Sequence, residues 1–105
     1  IKMVKTVNTK ADFDAVIKED KLTVVDFYAT WCGPCRMIAP KIEEMEKEFS
    51  GVNFIKVDVD ENSETAEDCG ISAMPTFFFY KAGNKLDEVV GASEASIREK
   101  IEKLK

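Results

Sequence analysis

VVDFYATWCGPCRM, residues 24 to 37, passes without interruption from an apolar, β-branched run into two cysteines two residues apart. With Leu22 and Thr23 ahead of it, the first half (22 to 28) suits a strand buried on both faces. Beyond Trp31 and Cys32 the period changes. Cys35, Ile38, Ile42, Met45 and Phe49 recur at helical spacing, so the second cysteine lies on the inward face of a long helix that Ser50 and Gly51 end. Cys32 therefore stands where a strand hands over to a helix.

Working outward, MVKTV (3 to 7) reads as a short strand, and Thr9 with Asp12 resembles a helix cap ahead of Phe13, Val16 and Ile17. VNFIKVDVD (52 to 60) is the next strand. NSETAEDC (62 to 69) is a short acidic helix closed by Gly70, and TFFFY (76 to 80) is another buried strand. A turn KAGNK leads to LDEVVG (86 to 91), pairing back as a hairpin, and SEASIREKIEKLK places Ile97, Ile101 and Leu104 on one helical face. The order β-α-β-α-β-α-β-β-α argues for parallel pairing at the front, antiparallel pairing at the back, and helices on both faces of one mixed sheet.

At 105 residues with 45% apolar content, the chain fits one domain with one core, residues 1 to 105. Its 20 acidic and 15 basic residues give a net charge of −5, no footprint for a nucleic acid or an anionic membrane surface. No run is long and apolar enough for a membrane helix, and the start, IKMVKTVNTK, is not expected to be a signal peptide.

Three cysteines are too few for a disulfide scaffold. A zinc site would need two further Cys or His ligands; the chain has no histidine and only Cys69 besides, which leaves a carboxylate ligand or a cysteine-bridged dimer as the metal alternatives. A static staple across two residues restrains little of the unfolded chain. A reversible thiol pair fits best. Amides of the first helical turn and the positive end of the helix dipole favour a thiolate at Cys32, and Cys35, one turn on, needs only modest tightening to reach disulfide range. Pro34 is tolerated in a first turn and stiffens the ring. The thiolate is the attacking species, so Cys32, at the exposed helix tip, is assigned as nucleophile and Cys35, on the buried side, as the resolving thiol. Asp26, in an otherwise apolar strand, is either an outward-facing charge or a buried carboxyl with a raised pKa.

WCGPC after VVDFYAT, with AMPTF and VVGA downstream, resembles the thioredoxin family over nearly the whole chain. The resemblance implies a five-stranded mixed sheet in the order 1-3-2-4-5 with four helices, and reduction of protein disulfides by thiol exchange. It implies no bound cofactor: a flavin- and NADPH-dependent thioredoxin reductase regenerates the dithiol. Disulfide-containing client proteins, a monomeric state and a cytoplasmic location follow from the same resemblance. It makes Asp26 the buried base for Cys35, with Lys56 as an ammonium near it, and matches Gly33-Pro34 to the reducing members. It makes Pro75 a cis proline against the disulfide, Met74 a residue whose backbone pairs with the client chain, and Trp31, Gly91 and Ala92 the rim of the site. Cys69 reads as packing, although animal members have a regulatory cysteine at the matching place. A binding module that changes its grip with redox state, without turnover, is the rival function.

Overall fold

The computed structural model describes residues 4–105. Five strands form one sheet in the order β1-β3-β2-β4-β5. They are β1 (Lys5–Thr6), β2 (Thr23–Tyr28), β3 (Asn53–Asp58), β4 (Thr76–Lys81) and β5 (Asn84–Val90), and the helices between and after them are α1 (Lys10–Ile17), α2 (Gly33–Glu48), α3 (Ser63–Asp68) and α4 (Glu94–Leu104). β3 runs parallel to both β1 and β2, while β4 is antiparallel to β2 and β5. This is the expected sheet. β1 is shorter than MVKTV suggests, and Met3 lies outside the described residues.

Strand alternation divides the core. Val24 points to the face covered by α2 and α4, where it joins Ile38, Ile42, Met45, Ile97 and Ile101. Val25 and Phe27 point to the opposite face and meet Phe13 of α1. By the same alternation Asp26 shares the face of Val24 and looks toward α2. Side chains such as Met45 and Ile97, with no exposed surface, each stabilise the fold by about 1.5–3 kcal/mol through burial. Pro40 lies inside α2, and the helix continues past it to Glu48.

The hairpin differs from the expected five-residue turn. Strand pairing extends to Lys81 and Asn84, leaving only Ala82 and Gly83 as the loop. Both have positive φ, 52° and 84°, the geometry that lets a two-residue turn follow the strand twist. The turn is tied to the end of α1, since the amides of Ala82 and Gly83 donate to the carbonyls of Glu19 and Ile17 at 3.0 and 2.8 Å. An irregularity beside Phe79 and Tyr80 absorbs the extra residue on β5.

Candidate active site

Helix starts need a side-chain acceptor for the first free amides, and three helices here use oxygen. Thr9, Asn62 and Ser93 accept from the amides of Asp12, Thr65 and Ser96 at 3.1, 3.4 and 3.3 Å. α2 uses sulfur instead. Cys32 is its cap, and Sγ accepts from the Cys35 amide at 3.2 Å. An amide and the positive end of a 16-residue helix are aimed at one sulfur, an arrangement that favours negative charge there once the pair is reduced. Pro34 sits in the first turn, where no amide hydrogen is missed.

Cys32 and Cys35 are joined as a disulfide with Cα atoms 5.3 Å apart. They pack with Ala29, against Tyr28, Val59 and Met74. Behind them lies a cavity of about 220 Å³ lined by Cys35, Asp26, Tyr28, Arg36 and Lys56 among others. Asp26 is 6% exposed and its Oδ1 has no hydrogen-bond partner among the described residues. Burial pushes its carboxyl up to about 7, and the charge of Lys56, its register neighbour on β3, pulls the other way. Sequence left two orientations open for Asp26; the inward one is found. A carboxyl whose pKa burial raises to about 7 therefore lines the same cavity as Cys35, a space with room for several waters.

On the other side of the disulfide, the Met74–Pro75 peptide bond is cis, as the resemblance implies, and Pro75 is fully buried. Met74 is half-buried, its carbonyl oxygen 3.7 Å from Cys32 Sγ. Gly91, at φ 104°, donates its amide to the Pro75 carbonyl at 2.8 Å and so ties the β5 end of the rim to this loop. Among the described residues nothing comes within 4 Å of the position a side chain at Gly91 or Gly33 would take, and Ala92 is exposed. Trp31 is 65% exposed at the lip of the site. Its indole N–H donates to Asp60 at 2.9 Å.

These features assemble in one place nearly every residue singled out from the sequence. The thioredoxin family model matches residues 4–103. The chain belongs to the thioredoxin family. It is 62% identical to a thioredoxin of Geodia cydonium, over 98% of this chain and 100% of that one, and 52% identical to thioredoxin-1 of Schizosaccharomyces pombe, over 94% and 96%. The X-ray structure of Fasciola hepatica thioredoxin superposes with a TM-score of 0.95 at 47% identity, covering 97% of this chain and 100% of that one. Membership and the adjacent disulfide-forming pair make this thioredoxin-family chain a protein-disulfide oxidoreductase that works by dithiol–disulfide exchange. A binding module without turnover is not favoured.

One expectation needs correction. Cys32 and Cys35 are buried almost equally, 6% and 4% exposed, because the closed disulfide and the groups packed on it cover both sulfurs. What distinguishes them is location: Cys32 at the cap of α2, Cys35 facing the cavity with Asp26. Sequence reading also missed Asp60. It lies 29 residues from Trp31, and only the turn after β3, held by Asp58 accepting from the amides of Asp60 and Glu61, brings it to the indole. Cys69 closes α3 and sits half-buried, 3.9 Å from the Tyr80 hydroxyl, where burial pushes its thiol up.

Proposed function

We propose that this chain reduces client proteins in two thiol exchanges with fixed roles for its cysteines. The Cys32 thiolate attacks one sulfur of a client disulfide, forms a mixed disulfide and releases the other client sulfur as a thiolate. Cys35, its proton passed to Asp26 directly or through water in the shared cavity, then attacks Cys32 Sγ. The client leaves as a second thiolate and the Cys32–Cys35 bond closes, so two electrons move from the dithiol to the client. The observation that carries the assignment is the sulfur cap: the Cys35 amide already donates to Cys32 Sγ at 3.2 Å.

In the same reading, Met74, Gly91 and Ala92 receive the client chain while Trp31 covers the exchanging sulfurs, Gly33 and Pro34 set the reducing spacer, and Lys56 tunes Asp26. Electrons reach the disulfide from NADPH through a thioredoxin reductase, and the protein works as a monomer in the cytoplasm. The Gly33-Pro34 match to reducing members supports that setting. Insulin reduction coupled to NADPH oxidation by a thioredoxin reductase tests the proposal. Repeated turnover per molecule is expected; one-to-one binding with no NADPH consumed would refute it.

A further inference from the structure

Asp26 and Tyr28, two apart on β2, point to the same face of the sheet, and Lys56 on β3 stands in register with Asp26. Opposite charges side by side in a sheet attract one another. Yet among the described residues no ion pair joins Lys56 to Asp26 and Asp26 Oδ1 has no partner; the two groups act on each other through space. The Lys56 ammonium lies instead over the ring of Tyr28, 5.5 Å from its centroid, within the range at which the negative face of an aromatic ring attracts a cation. Both side chains are half-buried, which strengthens that attraction. The neighbouring groups are otherwise engaged. Asp58, in register with Tyr28, accepts from the amides of Asp60 and Glu61, and Arg36, which reaches the cavity from α2, donates to the Thr30 carbonyl at 3.0 Å. β4 sets the apolar Phe77 beside Asp26, and Cys35 is held in the disulfide.

We propose that Tyr28 is a positioning residue: its ring holds the Lys56 ammonium out of contact with Asp26 and so keeps that carboxyl a strong enough base to take the Cys35 proton. An ammonium seated on Asp26 would stabilise the carboxylate and weaken it as a proton acceptor. The ring and the carboxylate therefore compete for one cation, and the ring holds it. The link to Cys35 rests on the reductase reading above; the competition for Lys56 does not.

The oxidised protein, in which Cys35 has no thiol to titrate, isolates Asp26. Its carboxyl carbon, assigned by its loss in Asp26→Asn and followed by carbon-13 NMR from pH 4 to pH 10, gives the midpoint of its titration. Tyr28→Leu should lower that midpoint by about one pH unit, as Lys56 closes on the carboxylate. Tyr28→Phe, which keeps the ring, should match wild type. In a Lys56→Met background, Tyr28→Leu should leave the midpoint where it is. A midpoint that stays or rises in Tyr28→Leu overturns the inference, as does an equal fall in the Lys56→Met background, which would make water entering past the smaller side chain the cause. A fall in Tyr28→Phe would assign the effect to the hydroxyl and overturn it too. Stopped-flow reaction of the reduced proteins with an oxidised client reads the consequence. At pH 8, release of client from the mixed disulfide should be about threefold slower in Tyr28→Leu than in wild type, because the weaker base takes the proton more slowly. Equal release would break the link to Cys35. No release by wild type, with the titrations as expected, would refute the reductase reading alone.

Discussion

Replacing Asp26 by asparagine should stabilise the protein by an amount that pH controls. Asp26 holds its proton more tightly in the folded state, about 7 against 3.8 for an unburied carboxyl, because burial penalises the charge. Below pH 3.8 the residue is protonated folded or unfolded and opposes nothing. As pH rises from there the unfolded chain ionises first, so the cost of keeping the folded carboxyl protonated, and then of burying its charge, grows until pH passes about 7. That gap corresponds to about 4 kcal/mol at pH 7 and above, and to about 2 kcal/mol at pH 5. Asparagine copies the shape of the protonated form and leaves a similar unpartnered polar atom, so the desolvation cost of that atom cancels and the charge remains. Urea denaturation of the oxidised wild type and of Asp26→Asn, from pH 4 to pH 9, measures the difference. The curves should lie within about 1 kcal/mol at pH 4, separate with rising pH and run parallel above about pH 7.5. A difference that does not change with pH, or a variant less stable than wild type at pH 8, would refute a desolvated aspartate.

Two other perturbations probe the walls of the site. Gly91→Ala forces a side chain into backbone at φ 104° where nothing among the described residues blocks the new methyl, so the loss, about 1–2 kcal/mol, is backbone strain and should appear as a lower denaturation midpoint; an unchanged midpoint would contradict it. Asp60→Ala removes the acceptor of the Trp31 indole at an exposed position, which should cost no more than about 1 kcal/mol yet lower the fluorescence anisotropy of the chain's one tryptophan; unchanged anisotropy would mean that other contacts hold the ring.

Much of this was legible because the decisive patterns are local. The apolar run around Asp26 and the spacing of Cys35, Ile38, Ile42 and Met45 depend on strand and helix periods, and the buried residues fall on those faces. The caps at Thr9 and Cys32 are equally local. What escaped depends on distant partners. Ala82 adopts a left-handed conformation that its identity does not advertise, held by carbonyls at the end of α1. Trp31 finds Asp60 only after β2 and β3 pair. The equal burial of the two cysteines arises from closing the disulfide and from Met74 packing on it, neither of which a helix position encodes.

The account stands on Cys32 as the attacking thiol and Cys35 as the one that resolves. Single serine variants of each, reduced, freed of reductant, mixed with an oxidised client and analysed by intact mass, test that division directly. Cys35→Ser should accumulate a stable adduct of protein and client joined through Cys32, and Cys32→Ser should give none beyond the level of a Cys32→Ser, Cys35→Ser double variant. An adduct that forms through Cys35 in the Cys32→Ser protein, with none in Cys35→Ser, would contradict the account.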